Sequence, residues 1–188
     1  MNSPAHDRSR WDTIYSQRQE AIYPEPDPLL LLYTPPVMLD EQPRALDLAG
    51  GLGQNALWLA EQGYTVDLMD LSRVALMRAR EEMIARDLRR VNVFQVDLEQ
   101  VRLQPETYDL ICVFRFLSAS VMPQVRAAVK PGGRVIYETF NTGRLKHGPH
   151  MNREYLLREG DLLGYFGDWR IVHHAEMSTV SQVVAIKS

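Results

Sequence analysis

From Arg44 onward, short apolar runs alternate with stretches of helical period, and this alternation restricts the chain to one fold class. Arg44–Leu48 predicts a first strand, followed by the glycine turn Gly50-Gly51-Leu52-Gly53. Gln54–Gln62 predicts a helix with Ala56, Leu59 and Ala60 inward, closed by Gly63, where a left-handed cap is least strained. Thr65–Met69 reads as a second strand. Ser72 then caps a helix running to about Arg86, with Ala75, Leu76, Ala79 and Met83 inward. Val91–Val96 is a third strand. Tyr108–Val113 is a fourth, near-continuously apolar, as a strand buried on both faces should be. A helix near Met122–Val129 and the Pro131-Gly132-Gly133 turn lead to a fifth strand at Arg134–Thr139. Residues 154–166 are expected to hold a further helix, ahead of strands near Trp169–His174 and Ser181–Ile186. This order implies right-handed crossovers and an α/β, Rossmann-like doubly wound sheet, mostly parallel, with helices on both faces.

Residues 1–43 differ. Pro24, Pro26, Pro28, Pro35, Pro36 and Pro43 leave no room for a long helix across Tyr23–Pro43. The segment reads as a helix around Arg10–Gln19 and an extended strap, set apart from the domain at 44–188. The whole has 188 residues, the length of one domain with short appendages. A net charge of −3 argues against a dedicated nucleic-acid binder. One cysteine, Cys112, excludes an intramolecular disulfide and a cysteine-rich metal site. The longest apolar run, Leu29–Tyr33, is too short to span a bilayer, and MNSPAHDRSRW lacks a signal core. A cytoplasmic protein is the expectation.

The turn after the first strand carries the chemistry. Gly51-Leu52-Gly53-Gln54-Asn55-Ala56 satisfies G-x-G-x-x-G/A, which alone suggests a nicotinamide or flavin dinucleotide. Asp47, four residues before Gly51, argues otherwise, because a dinucleotide would set its anionic pyrophosphate beside that carboxylate. S-adenosylmethionine (SAM) presents an ammonium and a sulfonium there, and its own carboxylate suits the free amides of the helix N-terminus. Asp70 ends the second strand 17 residues after Gly53, near the spacing of a carboxylate that accepts from ribose hydroxyls. At the end of the third strand Asp97 suits an adenine amino group, while Leu98 suits the ring face.

With these residues the chain resembles the class I SAM-dependent methyltransferases, and among them the small bacterial tellurite-resistance-type (TehB-like) group. The matching segments are ALDLAGGLGQNALWLAEQGYTVDLMDLS, VDL at 96–98, YDLICVFRFL and KPGGRVIYETF, with WDTIY and YPEPDPLL in the leading segment. The resemblance implies seven strands with the last inserted antiparallel, SAM as cofactor, and methyl transfer that releases S-adenosylhomocysteine. It implies that Asp47 and Gly51 meet the cofactor's amino-acid part, Asp70 its ribose, and Asp97 and Leu98 its adenine, with Phe114 bordering the site. Ala49, Gly53, Asn55 and Leu71 complete the candidate cofactor set. Ala49 stands where the motif has its first glycine, so a left-handed backbone there would be mildly strained.

Acceptor residues should project from the same rim: Arg115, Glu138, His147, Arg153 and Tyr15, the last from a leading helix that the resemblance folds over the cofactor. A basic cluster of Arg144, Lys146, His147, His150 and Arg153 suits an anionic acceptor or a solvated loop. The resemblance suggests a chalcogen oxyanion or a thiol. No extra domain is visible, which favours a small-molecule acceptor over nucleic acid or protein, and a monomer or homodimer. His147 and His150 lack a third ligand nearby, so no metal is expected. Ser118-Ala119-Ser120 lacks the glycines of a nucleophile elbow. Trp11 with Tyr15, and Arg78 with Glu82, are spaced as helix-surface pairs. An NAD(P)-dependent oxidoreductase and a non-catalytic SAM-binding regulator remain as alternatives.

Overall fold

The computed structural model describes residues 4–18, 22–38, 40–146 and 151–188. Its seven strands are β1 (Arg44–Leu48), β2 (Thr65–Asp70), β3 (Val91–Gln95), β4 (Tyr108–Phe114), β5 (Val129–Phe140), β6 (Arg170–Glu176) and β7 (Val180–Ile186). They form one sheet in the order β3-β2-β1-β4-β5-β7-β6. Strands β1 to β5 run parallel to one another, and β7 is inserted antiparallel between β5 and β6. The chain reverses its direction of travel across the sheet between β1 and β4, the switch point where such sheets bind ligands. Central β1 and β4 are buried along almost their whole length, as their mainly apolar sequences require.

Helices α1 (Pro4–Gln17), α2 (Pro28–Tyr33), α3 (Gln54–Glu61), α4 (Arg73–Ala85), α5 (Met122–Ala128) and α6 (Asp161–Phe166) surround the sheet. On one face Leu30 of α2, Ala56, Leu57 and Leu59 of α3, and Leu76 and Ala79 of α4 pack on Leu68, Leu110 and Ile136. On the other, Met122 and Val125 of α5 and Leu162 and Phe166 of α6 pack on Ile111, Tyr137 and Val183. Ser72 caps α4, its side chain accepting from the Ala75 amide. None of the helices in the described residues is long and apolar enough to cross a membrane.

Four local expectations are corrected. The helix expected over 154–166 is two pieces, a 3-10 turn at Arg153–Tyr155 and α6. Between them Leu157 is extended, donating to Phe140 O and accepting from Thr142 N, and Gly160 turns left-handed at φ +83° to start α6. The leading helix starts earlier than Arg10, at Pro4, and ends at Gln17. The strap is not wholly extended, because Pro28 at the first helical position and Leu29-Leu30 against the core support α2. Arg78 and Glu82 do not pair. Glu82 accepts from Arg86, while Arg78 donates to the carbonyls of Tyr15 and Arg18.

Candidate active site

Three candidate carboxylates come to the carboxyl ends of β1, β2 and β3 in three different states. Asp47 is 1% exposed and lies beneath the glycine turn, so close that a Cβ on Gly50 would stand 2.5 Å from its Oδ2. That oxygen accepts from the Ala56 amide at 3.1 Å, and Oδ1 faces Cys112 Sγ at 3.5 Å. Burial raises its pKa from the ordinary carboxylate value to about 7, against the lowering hydrogen bonds from Cys112 and Ala56. Burial in turn raises the Cys112 thiol well above its ordinary range.

Asp70 bridges the turn and the next helix. Its Oδ2 accepts from Gly51 N at 2.9 Å, and its Oδ1 from Ser72 N at 2.8 Å. Burial raises its pKa, and these backbone bonds oppose that rise. Leu71, beside it, is partly exposed. Asp97 folds back on its own turn, accepting from Glu99 N at 3.0 Å and Gln100 Nε2 at 2.8 Å. Leu98 is buried in the core with Leu48, Met69 and Leu117.

The glycine turn itself is left-handed at Ala49 (φ +56°), Gly51 (φ +57°) and Gly53 (φ +79°). Glycine suits position 51 on two counts, its left-handed backbone and the room it leaves for the Tyr15 hydroxyl, which a Cβ there would displace. Tyr15 reaches the turn because α1 docks on the start of α4. Asp12 Oδ1 accepts from Ser72 Oγ at 2.6 Å and from Val74 N at 3.2 Å.

The leading segment makes further contacts with this rim through residues that sequence reasoning missed. Tyr23 donates its hydroxyl to Leu52 O in the glycine turn. Asp27, 5% exposed, sits between Asn55 and Arg115. Asn55 Nδ2 donates to Asp27 Oδ2 at 3.0 Å, and its carbonyl accepts from Asp27 N at 2.9 Å. Arg115 reaches Asp27 with both terminal nitrogens, Nη1 lying 3.3 Å from Oδ2. Candidate cofactor residue Asn55 is therefore also the anchor of the strap. The sequence signal for Asp27 was Pro26-Asp27-Pro28, an acid before a first-turn proline, although the side chain caps no helix amide.

Phe114 is buried at the end of β4, and Arg115 beyond it is left-handed at φ +57°. Burial opposes the Arg115 charge, but Asp27 and Glu138 outweigh it, so its pKa is raised. The Arg115 amide donates to Glu138 O at 2.8 Å. Glu138 is half-buried, and Gln182 Nε2 donates to its Oε2 at 2.5 Å. Gln182 Oε1 lies 3.0 Å from His173 Nε2, whose Nδ1 lies 3.2 Å from the Tyr33 hydroxyl at the end of α2. Tyr15, Arg115 and Glu138 thus share one rim. Arg153 is exposed on its 3-10 turn, and Arg144 stacks over Phe140 at 5.1 Å. His147 and His150 lie outside the described residues.

Residues 45–133 match a family described as a methyltransferase domain. The chain is 31% identical over 141 residues to hemagglutinin 1 of Eikenella corrodens, covering 71% of this chain and 46% of that protein. It is 31% identical over 103 residues to the ubiquinone biosynthesis O-methyltransferase of Photobacterium profundum, covering 52% of this chain and 44% of that one. It thus spans about half the length of these curated relatives. Among solved structures, TehB from Haemophilus influenzae superposes with a TM-score of 0.70 at 19% identity, over 80% of this chain and 59% of that one. A SAM-dependent methyltransferase from Mesorhizobium loti superposes with a TM-score of 0.69 at 19% identity, over 85% and 96%. At such identities the likeness to the structures is one of fold. Together, the domain match over residues 45–133 and the inserted antiparallel strand give this chain the fold of the class I SAM-dependent methyltransferases.

Proposed function

We propose that the chain transfers the sulfonium methyl of SAM to a small-molecule acceptor held at the ends of β4 and β5. The observation that carries this reading is the bond from the Ala56 amide to Asp47. A dinucleotide phosphate needs the free amides in the first turn of α3 and repels a nearby carboxylate. Here one of those amides already serves a carboxylate, an arrangement suited to a cationic ligand. Asp70 keeps lone pairs beyond those that Gly51 and Ser72 use, as ribose hydroxyls require.

SAM, when bound, supplies an activated methyl group. The chain's own contribution is alignment, which supplies up to ~7–11 kcal/mol of barrier reduction. Asp70 would hold the ribose and the glycine turn the amino-acid part, with Tyr15 over Gly51 closing that end. Arg115 and Glu138 would face the acceptor. A thiol or a chalcogen nucleophile would need no base, whereas a hydroxyl or an amine must give up a proton.

Calorimetric titration with SAM, S-adenosylhomocysteine and NAD tests this reading. SAM is expected to bind, and Asp70→Ala to weaken it by about 1–3 kcal/mol, the effect of unpaired ribose hydroxyls. NAD binding in place of SAM would overturn the assignment.

A further inference from the structure

The leading strap sets the charge balance around Arg115. Arg115 is a cation that could attract an oxyanion or carboxylate beside Glu138, yet the buried Asp27 already holds it with a two-pronged ion pair. Asp27 is itself fixed by the reciprocal amide bonds of Asn55 and cannot swing away without breaking them. Arg144 lies on the Phe140 ring, and Arg153 is exposed on its 3-10 turn. Beside Arg115 stands a carboxylate, Glu138, whose backbone carbonyl accepts from the Arg115 amide. Glu138 has no cationic partner in contact among the described residues, and only its Oε2 accepts a side-chain hydrogen bond, from Gln182. His173 holds the Gln182 amide by its oxygen, and Tyr33 of the strap holds His173. That order turns the Gln182 amino group toward Glu138. The two ends of α2 therefore act on this pair, Asp27 directly on Arg115 and Tyr33 on Glu138 through His173 and Gln182.

We infer that the acceptor is uncharged and carries a proton on the atom to be methylated, a hydroxyl or a neutral amine, and that Glu138 takes this proton. A chalcogen oxyanion or a carboxylate would meet Glu138 as a like charge with Arg115 already neutralised. This inference rests on the methyltransferase reading and narrows its substrate class. In the step, a lone pair of the acceptor oxygen or nitrogen forms the new bond to the methyl carbon. The carbon–sulfur bond breaks toward sulfur, giving neutral S-adenosylhomocysteine. The acceptor's proton passes to the Glu138 carboxylate and then to water. Gln182, His173 and Tyr33 act as positioning residues for that carboxylate.

The test uses the S-adenosylhomocysteine complex, titrated calorimetrically with selenite and benzoate as anionic probes and with phenol and aniline as neutral ones. Wild-type protein is expected to favour a neutral probe, phenol and aniline distinguishing the hydroxyl from the amine. Glu138→Gln and Asp27→Asn are each expected to tighten selenite binding by about tenfold or more, the first by removing a like charge and the second by freeing Arg115. Unchanged S-adenosylhomocysteine affinity shows that each variant is folded; if Asp27→Asn fails this check, Glu138→Gln decides alone. Selenite binding to wild type as tightly as to Glu138→Gln, or no gain in that variant, overturns the inference. Failure of wild type to bind S-adenosylhomocysteine would instead overturn the methyltransferase reading.

Discussion

Ala49 and Arg115 hold left-handed backbone at the ends of β1 and β4, the two strands that flank the switch point. A side chain in this conformation costs about 1–2 kcal/mol, and such outliers collect at functional rims. The sequence already placed Ala49 where a glycine is usual, and its φ of +56° shows the strain to be real. Replacing it with glycine relieves that strain but enlarges the freedom of the unfolded chain, which offsets about 0.4–1 kcal/mol. Ala49→Gly is therefore expected to raise stability by about 0.5–1 kcal/mol in urea unfolding. A loss of stability would show that the alanine methyl contributes packing that outweighs its backbone strain. Arg115 has a different reason to be left-handed: the turn sends its guanidinium to Asp27.

At the scale of elements, legibility followed how local each determinant is. The strands β1, β2 and β4 declare themselves by apolar runs a few residues long, and Ser72 caps α4 from the adjacent position, so both were readable. The stretch 154–166 carries enough leucine and tyrosine to suggest a helix. What interrupts it is the bonding of Leu157 to Phe140 and Thr142, which no local pattern announces. The strap is the extreme case. Asp27 meets Arg115 across 88 positions, and Asp12 meets Val74 across 62, distances at which periodicity carries no information. Asp12 nevertheless has a measurable part. It accepts from the Val74 amide and the Ser72 hydroxyl, so it caps α4 from a separate element. Asp12→Ala should remove about 0.5–2 kcal/mol from the docking of α1. Limited proteolysis should then cut within α1 roughly 2–30 times faster, as the opened population rises by that factor. An unchanged cleavage rate would mean that Tyr15 and Arg78 hold α1 without it.

At the scale of the whole molecule, the buried carboxylate beneath the turn links folding, pH and cofactor binding. In the fold the Asp47 pKa is about 7, against an ordinary value of 3.8 in the unfolded chain. Between these values the native state binds more protons than the unfolded one, so stability falls as pH rises through that window. The effect is at most about 1.4 kcal/mol per displaced unit, and water entering the site reduces it. Asp47→Asn removes the titration. Its stability is expected to be flatter than that of wild type between about pH 4 and pH 7, and relatively higher at pH 8. The cofactor acts in the opposite sense. A ligand that is cationic at the turn favours ionised Asp47, so below pH 7 its binding must expel a proton. SAM affinity should therefore weaken as pH falls from 7 toward 6, approaching about tenfold per unit, with proton release detectable in buffers of different ionisation enthalpy. Thermal unfolding reads the same linkage. SAM at about 100 times its Kd adds about 2.7 kcal/mol, which is roughly 5–10 °C in Tm for a chain of this size. At one fixed SAM concentration that shift should be smaller at pH 6 than at pH 8, and Asp47→Asn should abolish the difference. A shift independent of pH in wild type would show that the charge on Asp47 is not coupled to the cofactor, and that the carboxylate serves only to brace the glycine turn against α3.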